Sequence, residues 1–140
     1  MLRTFAINYI MMFLGTWYKW AGGGPDGFDC SGLVMEYLKS VGLVERQVDM
    51  TAAQIYERFA DRDVPFPYPG CLIFYANKNG DIAHVEIAVH DGSLSIGASG
   101  GGPHVTDVAS AIRNNAFVKI RPVKRDRKIV AIVDPFKKEL

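Results

Sequence analysis

The chain has 140 residues, of which 49% are hydrophobic and 22% are charged, and its formal net charge is +1. This length suits one compact domain with its own core, so we expect residues 1–140 to form a single domain. The composition excludes a disordered chain, and the near balance of 16 basic and 15 acidic residues argues against a nucleic-acid partner. With two cysteines, Cys30 and Cys71, no disulfide framework is available, and stability has to come from the core.

The first predicted element is an apolar helix near the N-terminus. Residues 4–14 are mostly apolar, and Gly15 suits the left-handed conformation that ends a helix. The apolar run is too short to cross a bilayer as a helix, and no small-x-small cleavage site follows it. We therefore expect no membrane partner, and a protein made in the cytoplasm without a signal peptide.

Two further helices are predicted in the first half of the chain. After Cys30 the apolar residues recur at intervals of four and three, which is the spacing of one helix face. These residues are Val34, Leu38 and Val41. Thr51 and Gln54 have the spacing of a capping box at the start of a third helix that extends to Ala60. Alternating prolines from Pro65 onward then exclude helix and indicate a connecting loop.

The second half of the chain has the pattern of β-strands. Residues 84–90 alternate with period two, which places Val85, Ile87 and Val89 on the core. The other predicted strands cover residues 71–75, 94–98, 116–123 and 129–133. The basic segment 124–128 is interpreted as a solvated hairpin tip. Helices followed by an antiparallel meander predict an α+β fold, with N-terminal helices packed on an antiparallel sheet of about five strands.

Cys30 has the sequence context of a reactive thiol. It lies at the predicted first turn of a helix, after a glycine-rich segment, where free backbone amides and the helix dipole stabilise a thiolate. This position predicts a pKa below the ordinary value for cysteine, and it lets the Cys30 amide stabilise an oxyanion. Cys71 is interpreted instead as a core residue that opens a strand.

A thiolate that attacks an amide also needs an imidazole to move the proton. The chain has three histidines. His84 opens the alternating strand with its side chain off the apolar face, and we predict that it is the base. His90 lies near the far end of that strand and is interpreted as a surface residue. His104 lies in a glycine-rich loop.

Metal and nucleotide chemistry fit the sequence less well. The paired spacing of zinc ligands is absent from the sequence, so no metal site is predicted. The glycines at 22–24 are not followed by a Gly-Lys-Ser/Thr motif, which argues against nucleotide binding. No cofactor is therefore expected.

Two segments, Tyr18–Val34 and Gly80–Ile87, resemble the two signature blocks of the NlpC family of papain-like cell-wall cysteine peptidases. The sequence Asp-Cys-Ser-Gly at 29–32 matches the block that holds the nucleophile, and His-Val at 84–85 matches the block that holds the base. Residues 68–75 are similar to a proline-glycine-led strand of the same family. The resemblance covers residues 5–100 in order, and it implies one papain-like catalytic domain.

The resemblance implies a cysteine-type endopeptidase that acts through a thioester acyl-enzyme. Its expected substrates and partners are peptidoglycan stem peptides, commonly cut after a D-glutamate linked through its γ-carboxyl. Tyr18, Asp29 and Ser31 are implied to line the substrate side and to hold the free amine of a stem peptide. Physical chemistry supports this role for Asp29, because a carboxylate that touched the sulfur would raise the pKa of the thiol.

The chain departs from the family at the third catalytic position. The family places a polar residue, often histidine, on the strand after the base, and the matching residue here is Gly97. Ser99, His104 and Glu86 are the candidates for the third member, and Glu86 shares a strand face with His84. A backbone carbonyl, or a dyad without a third member, is a further alternative. Gly97 also favours a second hypothesis, a catalytically impaired structural or wall-binding module of the same fold.

The expected setting follows from the short single-domain architecture. A family member of this size without wall-binding repeats resembles those carried by bacteriophages, in a tail tip or as a lysis enzyme. We therefore expect a phage-type protein that acts at the bacterial cell wall, with phage tail or lysis machinery as its partners. Amide transfer and cleavage of a non-wall substrate are the enzymatic alternatives.

Overall fold

The computed structural model describes residues 1–20, 22, 27–100 and 104–137. The helices are α1 (Leu2–Met11), α2 (Cys30–Ser40), α3 (Ala52–Phe59) and α4 (Val108–Arg113), and a 3₁₀ turn follows α3 at Ala60–Arg62. The strands are β1 (Leu72–Ala76), β2 (Ile82–Val89), β3 (Leu94–Ser99), β4 (Phe117–Pro122) and β5 (Ile129–Val133).

The strands form one antiparallel sheet in the order β4-β3-β2-β1-β5. The first four strands follow the predicted meander. β5 does not continue it: β5 crosses to the opposite edge of the sheet and pairs with β1, where Leu72 faces Val133. The predicted hairpin tip at 124–128 is therefore wrong, because this segment is a crossover connection between the two edges. The α+β class, with helices packed on a five-stranded antiparallel sheet, is confirmed.

The main core lies between the helices and one face of the sheet. Val85, Ile87 and Val89 of β2 point into this core, as the period-two pattern predicts. α2 contributes Leu33 and Leu38, both fully buried, and packs against β2 and β3. Because this packing is apolar and extensive, it fixes the first turn of α2 relative to the start of β2.

The opposite face of the sheet buries polar side chains. His84 and Glu86 of β2 are 5% and 1% exposed on this face, and Ser95 of β3 is fully buried. Beside them lies a smaller apolar cluster that includes Cys71 and Tyr75. Cys71 is fully buried, which confirms its predicted place in the core. Buried polar groups need partners, so this face is where functional side chains are expected.

Local sequence accounts for most element ends. Gly15 has a φ of +88° beyond the end of α1, and Thr51 and Gln54 form the predicted capping box of α3. The sequence pattern does not predict α4, which has six residues and begins with a capping box from Asp107. None of the helices in the described ranges is long and apolar enough to span a bilayer.

Candidate active site

Cys30 is the first residue of α2, and the residues around it define the start of that helix. Asp29 caps the helix, because its Oδ1 accepts a hydrogen bond from the Gly32 N–H at 2.6 Å. A Cβ on Gly32 would overlap the carbonyl oxygen of Gly22, so only glycine lets that carbonyl pass beside the first turn. The Asp-Cys-Ser-Gly sequence therefore sets the geometry in which the Cys30 sulfur is held.

Cys30 and His84 line the same open cavity, whose volume is about 890 Å³. Tyr18, Asp29 and Ser31, the residues expected on the substrate side, line it too. Tyr18 is 6% exposed, and burial raises its pKa, so its hydroxyl stays protonated and can donate or accept hydrogen bonds. The structure thus brings these five residues to one cavity of a size typical for ligand sites.

The thiol of Cys30 is partly buried at this cavity. Burial raises the pKa of the Cys30 thiol to about 11, and the charge of Asp29 adds to this, whereas hydrogen bonds from the backbone of Val85 and Ser31 lower the pKa by less. The prediction of a pKa below the ordinary value is therefore wrong for the unliganded protein, because the loss of water outweighs the effect of the helix start. The contact with Val85 also shows that the sulfur lies beside the start of β2.

His84 is hydrogen-bonded to Glu86 on the same strand. His84 Nε2 lies 2.6 Å from Glu86 Oε2, and the two side chains share a face because they are two residues apart. Burial lowers the pKa of the His84 imidazole, and the hydrogen bond and charge of Glu86 raise it in part. Since an ionised carboxylate only accepts, Nε2 carries the proton of the neutral ring and Nδ1 is the basic nitrogen.

Glu86 is ionised and held by a network of donors. Ser95 Oγ donates to Glu86 Oε1 at 2.5 Å, and the guanidinium groups of Arg121 and Arg125 donate to Oε2 at 3.3 and 2.9 Å. Burial by itself would raise the pKa of this carboxyl, but the hydrogen bonds to His84 and Ser95 and the charge of Arg125 hold that pKa at about 2. A buried carboxylate with this many partners has little freedom to change its rotamer.

The side chain of Glu86 fills the space beside Gly97. A Cβ on Gly97 would overlap Glu86 Cγ and would lie 2.6 Å from Glu86 Cδ. Any side chain at position 97 would therefore displace Glu86 from the His84 ring. The glycine at 97 and the carboxylate at 86 are two parts of one arrangement.

The other two candidate third members are placed differently. Ser99 is buried and lines the cavity, and within the described part of the chain its Oγ has no hydrogen-bond partner. His104 is exposed, and its Nε2 lies 3.4 Å from Asn114 Oδ1. Of the three candidates, Glu86 is the one whose side chain is bonded to the His84 ring. His90 is exposed, as expected of a surface residue.

The sequence patterns missed the partners of Glu86. Arg125 lies in the crossover segment, which the hairpin prediction placed in solvent. This segment crosses the polar face of the sheet, because β5 pairs with β1 at the other edge. Ser95 and Arg121 face each other across β3 and β4, so strand register brings both to Glu86. The alternation of side chains along the strands is the one feature of the sequence that could have placed Ser95 and Arg121 on this face. Within the described ranges, no three His, Cys, Asp or Glu side chains cluster as metal ligands would.

An antiparallel five-stranded sheet packed with helices, in which a cysteine at a helix start and a histidine on the sheet line one cavity, is typical of a papain-like domain. A model of the NlpC/P60 family matches residues 15–122. The chain therefore belongs to the NlpC/P60 family.

Named relatives and a solved structure agree with this membership. A γ-D-glutamyl-L-lysine dipeptidyl-peptidase of Bacillus cereus is 33% identical over 90 residues, which are 63% of this chain and 26% of that protein. The murein DD-endopeptidase MepH of Escherichia coli is 34% identical over 96 residues, which are 64% of this chain and 34% of that protein. The chain thus spans about a quarter to a third of these two relatives. The structure of NlpC1 from Trichomonas vaginalis matches 95% of this chain and 44% of its own, with a TM-score of 0.70 and 23% identity, and it shows a shared fold.

Proposed function

We propose that the chain is a cysteine-type endopeptidase that hydrolyses an amide bond in peptidoglycan stem peptides. Cys30 is the nucleophile, His84 is the base, and Glu86 positions His84. One observation carries the proposal: Cys30 and His84 line one cavity, and the far nitrogen of His84 is bonded to an ionised carboxylate. The relatives named as a murein endopeptidase and a γ-D-glutamyl-L-lysine dipeptidyl-peptidase support the substrate class.

The first step forms the bond between sulfur and the substrate carbonyl carbon. The raised pKa of Cys30 and the lowered pKa of His84 mean that the resting pair is a thiol and a neutral imidazole. His84 Nδ1 takes the thiol proton as the sulfur attacks, and the carboxylate of Glu86 stabilises the imidazolium that forms. The Cys30 N–H lies in the first turn of α2, where backbone N–H groups have no acceptor within the helix. This N–H can therefore donate a hydrogen bond to the oxyanion.

The remaining steps return the proton and release both products. The imidazolium protonates the leaving amine, the C–N bond breaks, and the acyl group stays on Cys30 as a thioester. His84 then deprotonates a water molecule that attacks the thioester. The C–S bond breaks, the sulfur regains the proton, and the new carboxylic acid leaves.

The helix side of the cavity suits the amine of a stem peptide. Asp29 supplies negative charge there, Ser31 Oγ lies 3.4 Å from Asp29 Oδ1, and Tyr18 adds a hydroxyl. We expect these groups to bind a free N-terminal amine, which would place a γ-linked D-glutamate at Cys30. The preferred bond is then the one that follows this glutamate, as in the name of the B. cereus relative.

Gly97 was the reason to consider a catalytically impaired module. The hydrogen bond between Glu86 and His84 weakens that hypothesis, because Glu86 supplies the base with the polar partner that position 97 lacks. The arrangement supports an active enzyme over a binding module.

Digestion of purified peptidoglycan, followed by mass spectrometry of the fragments, tests the proposal. The wild-type protein should release stem-peptide fragments, and Cys30→Ala should release none while unfolding at an unchanged urea concentration. Cys71→Ala is the matched control, because it removes the other thiol, which does not line the cavity. Intact peptidoglycan after incubation with the wild-type protein would refute the proposal, and so would full activity of Cys30→Ala.

A further inference from the structure

The two walls of the cavity carry opposite charge. The wall made by α2 and the start of α3 supplies carboxylates, and the wall made by the sheet supplies guanidinium groups. The charged residues on the helix wall are Asp29, Glu36, Asp49 and Lys39, and those on the sheet wall are Arg121 and Arg127, next to His84. A ligand that fits both walls has separated positive and negative groups.

Arg127 belongs to the crossover segment and reaches the sheet wall beside the proposed base. Its guanidinium carbon lies 5.8 Å from the centroid of the Tyr75 ring, and that ring lies 5.8 Å from the His84 ring. Within the described ranges, Arg127 forms no ion pair with a carboxylate, since the pairs on this wall join Glu86 to Arg121 and Arg125. Its charge is therefore available to a ligand in the cavity.

The positive charge on this wall exceeds the negative charge that balances it. Glu86 serves two arginines and His84 at once, which leaves Arg127 uncompensated. Burial and repulsion from Arg125 and Arg121 lower the pKa of Arg127, while the charge of Glu86 raises it in part. The Nε of Arg121 is also buried, and within the described part of the chain it has no hydrogen-bond partner. Unmatched guanidinium donors in a cavity wall are suited to a carboxylate.

We propose that Arg127, with Arg121 beside it, binds a free carboxylate of the peptide substrate, so that the enzyme prefers a carboxylate to a carboxamide near the scissile bond. This inference rests on the proposed function, and it adds that the substrate carries a negative charge on the side away from its amine. A glutamate linked through its γ-carboxyl keeps its α-carboxylate free, next to the bond that Cys30 attacks. The carboxyl terminus of a short stem peptide is a second source of the same chemistry.

Four synthetic peptides with one backbone test the inference and separate the two sources. The parent is L-Ala-γ-D-Glu-L-Lys, the second carries a carboxamide at the glutamate α-carbon, the third a carboxamide at its terminus, and the fourth carries both. For the wild-type enzyme, we expect kcat/KM to fall about 10- to 100-fold when the carboxylate that Arg127 binds becomes a carboxamide. Arg127→Gln should cleave the parent and that carboxamide analogue at nearly equal rates. The analogue for which this holds shows whether Arg127 binds the glutamate α-carboxylate or the terminal carboxylate.

Two variants show whether the preference depends on the charge at position 127 or on the total positive charge of the segment. Lys124→Gln removes the same charge from an exposed position of the same segment, outside the cavity lining, and should keep the wild-type preference. Arg127→Lys should keep part of it. The inference is wrong if the wild-type enzyme cleaves all four peptides equally, or if Arg127→Gln keeps the preference. Failure of the proposed function looks different, because then none of the four peptides is cleaved.

Binding to Cys30→Ala gives a second measurement that does not depend on turnover. Calorimetry with the uncut parent and its carboxamide analogues should show the same order of affinities. Adding Arg127→Gln to this variant should remove the difference, and a difference that survives would overturn the inference.

Discussion

Glu86 and Gly97 share one volume between β2 and β3, so a change at either residue alters the environment of His84. The absence of a side chain at Gly97 leaves space for Glu86. Hydrogen bonds from Ser95, Arg121 and Arg125 hold the Glu86 carboxylate in that space. His84, the proposed base, is therefore oriented by a residue of its own strand.

A double-mutant cycle measures this dependence. Gly97→Ala should destabilise the protein by about 1–3 kcal/mol, because its Cβ would overlap Glu86 Cγ in a buried, well-packed site. In a Glu86→Ala background the space is empty, and the same substitution should cost little. Urea unfolding of the four proteins gives the coupling free energy, and equal costs in both backgrounds would show that the two side chains do not compete.

The pH profile separates a positioning role of Glu86 from a structural one. Burial lowers the pKa of His84 and Glu86 raises it, so Glu86→Gln should lower that pKa further. Because the base acts as neutral imidazole, the acid limb of kcat/KM should move to lower pH, and the plateau should fall about 10- to 100-fold. Glu57→Gln, on the exposed side of α3, is the control. A fall in rate with an unmoved acid limb would indicate a structural role only.

At this scale the sequence predicts part of the site. Period-two alternation places Glu86 on the face of His84, and the helix start places Cys30. Sequence alone leaves Ser99 and His104 as alternatives to Glu86, because side-chain distances depend on strand register and on the crossover. The pKa of Cys30 was predicted in the wrong direction, since sequence does not show how much water the fold removes from the sulfur.

At the scale of single elements, the first turn of α2 combines a structural and a proposed binding role in Asp29. The carboxylate caps the helix and lines the cavity. Asparagine caps helices about as well as aspartate, so Asp29→Asn keeps the acceptor for the Gly32 N–H but removes the charge.

Asp29→Asn should therefore leave the urea midpoint nearly unchanged and lower kcat/KM at least about tenfold for peptides with a free N-terminal amine. N-acetylated peptides should be cleaved at similar rates by both proteins. Asp107→Asn, at the capping box of α4, is the matched control and should change neither quantity. If Asp29→Asn lowers kcat/KM by the same factor for acetylated and free peptides, Asp29 does not bind the amine.

The crossover between β4 and β5 is the element that sequence patterns predict least well. Two short strands separated by five basic and acidic residues have the local pattern of a hairpin, and nothing local encodes pairing with β1 at the far edge. Long-range pairing follows from the whole sheet, so local turn rules do not predict it. This matters for the proposed site, because the crossover carries Arg125 to Glu86 and Arg127 to the cavity wall.

At the scale of the whole molecule, a buried carboxylate ties the first helix to the segment after β5. Asp134 is 3% exposed and accepts two hydrogen bonds from Arg3 at 3.0 Å and one from the Tyr68 hydroxyl at 2.6 Å. Burial by itself would raise the pKa of Asp134, but Arg3 and Tyr68 hold it below its ordinary value. Sequence patterning does not predict this contact, because its partners are 66 and 131 residues away.

The lowered pKa makes the contribution of Asp134 to stability depend on pH. A carboxyl group whose pKa falls on folding stabilises the protein above its unfolded pKa, about 3.9, and this contribution is lost as the pH falls through the lower folded value. Asp134→Asn should therefore cost about 1–3 kcal/mol of unfolding free energy at pH 7, where it leaves Arg3 without its ionic partner. The difference between the two proteins should shrink as the pH falls below about 4, because the wild-type carboxylate then becomes protonated as well. Urea unfolding at pH 7 and in steps below pH 4 measures both quantities, and a difference that stays constant over this range would show that the Asp134 charge does not hold the chain ends together.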